Sequence, residues 1–163
     1  MPEILLKTEI HSDINTCFDL ARSIDFHKES LKHTDEMPVA GKTTGLIKKG
    51  EWVSWEAKHL GFVQHLTTKI VAFDKPHYFV GEMVFGAFKS YRHEHIFKEK
   101  EGFTLMIDKF SFETPYGLLG KFVNWFYLKR YITNLLKIRN NMLKSAAESE
   151  NGHAFFSKLI NSY

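Results

Sequence analysis

Between Glu3 and His11 the chain alternates. Ile4, Leu6, Thr8 and Ile10 fall on one side, and Glu3, Leu5, Lys7 and Glu9 on the other. Successive side chains of a strand point to opposite faces, so this pattern predicts a half-buried strand. The period then lengthens. Ile14, Cys17, Phe18 and Ala21 share one helical face, while Asn15, Thr16, Asp19 and Arg22 share the other. Ser12 or Asp13 supplies the side-chain oxygen that caps this short helix. Ser23 and Asp25 open a second short helix over residues 26–31.

From Gly45 the period shortens again. Residues 51–59 alternate Val53, Trp55 and Ala57 with Trp52, Ser54, Glu56 and Lys58. Further strands are predicted over 62–72, 78–85, 89–98 and 103–113, joined by the short connections Leu60-Gly61, Gly86-Ala87 and Glu101-Gly102. Successive hairpins make an antiparallel meander. After Pro115-Tyr116-Gly117, residues 118–147 read as one long helix, free of Pro and holding Gly120 only near its start. At 1.5 Å per residue such a helix is about 45 Å long. Phe122, Trp125, Leu128, Ile132, Leu135, Leu136, Met142 and Leu143 give it a wide apolar stripe. Its Lys and Arg residues read as a solvated face. The predicted architecture is α+β: a strand, two short helices, a long antiparallel meander and a C-terminal helix lying along the sheet. Residues 1–147 make one domain. Residues 148–163 form a polar tail in which Phe155, Phe156, Leu159 and Ile160 have helical spacing.

Composition narrows the class. The chain has 163 residues, enough for one domain with a core that needs no staples. Cys17 is the single cysteine, so an internal disulfide is excluded, and its place on an apolar helical face makes it a packing residue. No apolar run approaches the roughly 20 residues of a membrane span. The N-terminus lacks the pattern of a signal peptide, and a cytoplasmic location is expected. A net charge of +3 without a clustered basic face argues against nucleic acid as a partner. Aromatic residues stand out at 15%, which points either to an aromatic-rich core or to a lined cavity.

The order of elements, with certain motifs, resembles the START and birch-pollen-allergen superfamily of helix-grip (SRPBCC) proteins, and within it the bacterial group often labelled polyketide-cyclase-like or ligand-binding. The resemblance is carried by Cys17-Phe18-Asp19-Leu20-Ala21-Arg22-Ser23, Gly41-Lys42-Thr43-Thr44-Gly45-Leu46-Ile47 and Trp55-Glu56-Ala57-Lys58-His59-Leu60-Gly61. It continues in the stretches from Phe85 to His95 and from Phe112 to Gly120, and covers about residues 3–147. It implies a curved antiparallel sheet wrapped around the long helix, with a small hydrophobic or amphipathic ligand, lipid- or polyketide-like, held between them. It implies no cofactor and no metal.

Hairpin arithmetic assigns faces. With Leu60-Gly61 as a two-residue turn, His59 faces Phe62, Ala57 faces Gln64 and Trp55 faces Leu66, all inward. Glu56 and His65 then form a solvated cross-strand pair. Taking Phe97 opposite Thr104 pairs His95 with Met106, His93 with Asp108 and Tyr91 with Phe110, again inward. A two-residue turn at Gly86-Ala87 brings Glu82 opposite Tyr91 on the same face, whereas a one-residue bulge reverses it.

The candidate ligand-binding set is therefore Trp55, Gln64, Glu82, Tyr91, His93, His95, Met106, Asp108, Phe110 and Trp125. Polar groups in an apolar setting need partners, and three readings stay open. They form a satisfied hydrogen-bond network in a packed interaction domain, they orient a bound ligand, or His93 with Asp108 is the acid–base pair of a cyclase- or hydrolase-type enzyme. His93 and His95, two apart on a strand, also reach one ion if Asp108 or Glu82 adds a third ligand. The chain has no phosphate-binding Gly-rich loop, no His-Glu-x-x-His and no Gly-x-Ser-x-Gly. Binding without catalysis is the leading expectation, with monomer and homodimer both open.

Overall fold

The structure, a computed structural model, describes residues 2–114 and 120–149 together with 154, 157 and 158; the side chains of 120–125 lie outside the described set. Strand β1 (Glu3–Ile10) is followed by α1 (Ile14–Ala21) and α2 (Ile24–Ser30). Asp13 caps α1 by accepting the Thr16 N–H at 2.9 Å, and Ser23 caps α2 by accepting the Phe26 N–H at 3.1 Å. Each satisfies a backbone donor that the first helical turn leaves open. A single 3-10 turn (Lys32–Thr34) leads into β2 (Met37–Gly41).

Strands β3 (Trp52–His59), β4 (Phe62–Asp74), β5 (Tyr78–Phe85), β6 (Ser90–Lys100) and β7 (Phe103–Glu113) then form the meander, and α3 (Gly120–Glu148) closes the described order. The seven strands lie antiparallel in one curved sheet in the order β1-β7-β6-β5-β4-β3-β2. β1 returns beside β7, which the meander alone did not reveal. β2 was not anticipated. It is an edge strand holding Pro38, whose missing N–H is tolerated at an edge.

The β3–β4 register is the predicted one throughout, from His59 opposite Phe62 to Ser54 opposite Thr67. Its turn has Leu60 at φ 54° and Gly61 at φ 84°, the paired left-handed conformations of a tight hairpin. The β6–β7 register differs from expectation by two residues: His95 faces Asp108, His93 faces Phe110 and Tyr91 faces Phe112. The turn is Glu101-Gly102, with Lys100 opposite Phe103, and the assumed pairing of Phe97 with Thr104 gives way to Phe97 with Met106. A shift of two preserves which face each side chain occupies.

The β5–β6 register differs by one, and this corrects Glu82. Residues 86–89 separate the two strands, and Glu82 faces Arg92 rather than Tyr91. Its carboxylate pairs with the Arg92 guanidinium on the outer face, where Arg92 also meets Glu94 at 2.9 Å.

Two apolar clusters pack between sheet and helices. One gathers Ile10, Phe18, Leu20, Phe97, Met106 and Leu143; the other gathers Ile4, Tyr91, Phe110, Phe112, Ile132 and Leu136. Cys17 is buried in the first, as expected of a packing residue. Residues Phe155, Phe156, Leu159 and Ile160 of the tail lie outside the described residues. Among the described residues no helix is long and apolar enough to cross a membrane.

Candidate functional site

The two clusters do not meet everywhere. Between the concave sheet and α3 lies a cavity of about 610 Å³. Its wall is built mainly from inward-facing strand residues, including Trp55, Ala57, Phe79, Tyr91 and Phe110, and from Ile132 and Leu136 one helical turn apart on α3. The wall continues to Leu60, Phe62 and Tyr127, all exposed to solvent.

Of the residues singled out in the sequence, Trp55, Gln64, Tyr91, His93, His95 and Phe110 line this space. Three do not. Glu82 is on the outer face. Met106 is fully buried in the first cluster and packs as core, because the two-residue register shift moves it beside Phe97. Asp108 is also fully buried and stands behind the two histidines rather than in the wall. Trp125 belongs to α3, but its side chain lies outside the described residues.

Asp108 organises the polar part of the wall. Its Oδ1 lies 2.9 Å from His93 Nε2 and 2.8 Å from His95 Nδ1. The His93 contact is a hydrogen bond, whereas His95 Nδ1 is close but not aligned for one. On its other side, Oδ2 accepts from Asn140 Nδ2 of α3 at 2.7 Å. Burial pushes the Asp108 carboxyl up, but its close contacts with the two imidazoles outweigh it and hold it well below the usual carboxylate range. An ionised carboxylate only accepts, so His93 carries its proton on Nε2 and its lone pair on Nδ1.

Burial lowers both imidazoles, His95 to about 3. His95 stacks on Phe79 with ring centroids 4.3 Å apart, and the His93 and His95 rings lie 3.8 Å apart. The outer His65–Glu56 pair forms as expected, at 2.9 Å and half exposed. The His93, His95 and Asp108 donor atoms lie within 4.8 Å of one another. Both short contacts run to one carboxylate oxygen.

Sequence reasoning missed several polar residues of the wall, among them His27, Glu36, His59 and Arg139. His59 was placed inward but not counted as a site residue. Its Nδ1 lies 2.9 Å from the Tyr131 hydroxyl, joining β3 to α3. The His27 ring lies tilted against Trp55 with centroids 4.4 Å apart, and its Nε2 is 3.2 Å from Glu36 Oε1. Arg139 corrects the reading of the helix cations as a solvated face: it is buried. Ile132, Leu136, Arg139 and Leu143 are spaced four, three and four residues apart, so Arg139 sits within the apolar stripe. That spacing was the available signal. Glu36 had none, because the segment before β2 has no clear period.

No family model matches the sequence, and no curated protein matches it. Solved structures do. A Thermus thermophilus protein superposes with a TM-score of 0.69 at 16% identity, covering 90% of this chain and 99% of that one. A major latex-like protein from Panax ginseng superposes at 0.62 with 17% identity, covering 91% and 98%. A START superfamily protein from Mycobacterium smegmatis gives 0.65 at 9% identity, covering 90% and 97%. The curved seven-stranded sheet gripping a long C-terminal helix is the helix-grip fold of the START-like (SRPBCC) superfamily, and this chain has that fold.

Proposed function

We propose that this chain binds a small hydrophobic or amphipathic molecule, lipid- or polyketide-like, in the cavity between the sheet and α3. The observation that carries the reading is the unfilled space itself. About 610 Å³ falls within the range of small-molecule sites, and the wall is mostly apolar with a few buried polar groups. Trp55, Phe79, Tyr91 and Phe110 offer aromatic area to such a guest, and apolar burial at roughly 25 cal/mol per Å² drives its uptake. His93, His95 and Gln64 orient it, and Asp108 fixes the imidazoles. A neutral dye such as N-phenylnaphthylamine tests this reading. Saturable enhancement of its fluorescence, reversed by long-chain alcohols or esters, supports it. Absence of any saturable binding rejects it.

A second reading is favoured by the His93–Asp108 contact at 2.9 Å in the cavity wall. With Nδ1 unprotonated, His93 is equipped as a general base and Asp108 as its orienting partner. A substrate turned over by the wild type, and bound but not turned over by His93→Gln, supports catalysis. Binding with no turnover across candidate esters and polyketide-like substrates leaves binding as the function.

A further inference from the structure

Two buried side chains in the cavity wall carry polar atoms that the protein leaves unsatisfied. Arg139 is 3% exposed; its Nη2 donates to the Ala21 carbonyl at 2.6 Å, while Nε and Nη1 have no hydrogen-bond partner. Glu36 is 7% exposed; its Oε1 meets His27 Nε2 at 3.2 Å, while Oε2 has no partner. Both line the same cavity. A buried guanidinium or carboxylate with an open hydrogen-bonding atom is costly unless an occupant of the cavity completes it.

Charge and proton count define that occupant. The charges of two buried carboxylates, Glu36 and Asp108, act on Arg139 and oppose the lowering that burial imposes on its guanidinium. The other guanidinium in the wall, Arg22, is held by Asp19 at 2.7 Å. An anionic ligand would bring a third negative charge against one available guanidinium. It would also have no hydrogen to give Glu36 Oε2. A hydroxyl meets both demands: its oxygen accepts from an Arg139 N–H, and a hydroxyl hydrogen donates to Glu36.

Resting on the cavity-binding reading, we propose that the ligand of this cavity is an uncharged amphipathic molecule with a hydroxyl-bearing head, held by Arg139 as donor and Glu36 as acceptor. The apolar body then lies along Trp55, Tyr91 and Phe110. A fatty-acid-type anion is disfavoured at the same position.

The experiment is displacement of N-phenylnaphthylamine by three probes of matched chain length: decanol, decanoate and methyl decyl ether, at about pH 8, where decanoate is ionised. Decanol is expected to bind about tenfold or more tightly than either of the others, the usual loss when a charged buried group goes unpaired. Glu36→Gln and Arg139→Met are expected to remove that preference and leave the ether unchanged. Decanoate binding as tightly as decanol overturns the proposal, as does equal binding of all three, which means that water alone satisfies the two side chains. Failure of the dye and all three probes to bind rejects the cavity-binding reading itself, a different outcome. Should Arg139→Met fail to fold, the wild-type series and Glu36→Gln still decide the question.

Discussion

Asn140 of α3 donates its Nδ2 hydrogen to Asp108 Oδ2 of β7 at 2.7 Å, and both side chains are buried. This bond ties the helix to the sheet at the same carboxylate that holds His93. Asp108→Ala is expected to destabilise the fold by about 2–4 kcal/mol, since it strips partners from Asn140 and His93 together. Asn140→Ala is expected to cost about 1–3 kcal/mol, by leaving Asp108 Oδ2 without its donor. Urea denaturation of the two variants measures both values. A change within about 0.5 kcal/mol for Asp108→Ala, the range of ordinary surface substitutions, rejects this role.

Acid sensitivity follows from the buried imidazoles. Burial lowers His95 from its ordinary 6.5 to about 3 in the folded chain. Between those values the unfolded chain binds a proton that the folded chain does not. The His95 contribution is therefore complete above about 6.5 and is lost as pH falls toward the folded value. At pH 5 the loss is about 2 kcal/mol for this one residue, and His93 shifts in the same direction. Urea midpoints measured from pH 7 to pH 5 are expected to fall, and to fall less steeply in His95→Gln. A flat wild-type profile contradicts the assignment.

The residues that were legible in the sequence, and those that were not, differ for a physical reason. The Leu60-Gly61 turn leaves one register for β3 and β4, so Trp55, Ala57 and Gln64 were placed on the correct face. His93, His95 and Phe110 were also placed correctly despite a register error, because a slip of two keeps the side-chain parity. Glu82 was misplaced because nine residues, 83–91, lie between it and its partner Arg92, one more than a two-residue turn at Gly86-Ala87 allows, and an odd shift reverses every face. Arg139 was not found although its spacing put it in the apolar stripe of α3, because its charge reads as solvent-facing, and Glu36 lies in a segment with no period to mark it. The local period cannot show that a distant element leaves room for a buried charge.

Cys17 is expected to be inert while the protein is folded. It is fully buried, and burial pushes its thiol up to about 11. The thiolate, which is the reactive form, is then scarce at about pH 8. A disulfide reagent such as Ellman's is expected to titrate no thiol in the native protein and one per chain in denaturant. Rapid labelling of the native protein contradicts this.

Ala57 offers a way to close the cavity without disturbing its polar cluster. Its methyl lines the space from β3, opposite Gln64. Ala57→Phe is expected to place a ring in the cavity, lower dye affinity about tenfold or more and leave the thermal midpoint within a few degrees of wild type. Unchanged affinity in a folded variant places the dye elsewhere.

The central claim is that the space between sheet and helix holds a small apolar guest. Native mass spectrometry of the protein purified gently from its host tests it most directly. The account predicts a second population heavier than the bare chain by a lipid-sized mass, shed at raised collision energy and absent or reduced in Ala57→Phe. A bare-chain mass alone, together with no uptake from an added mixture of long-chain alcohols, esters and polyketide-like aromatics, contradicts it.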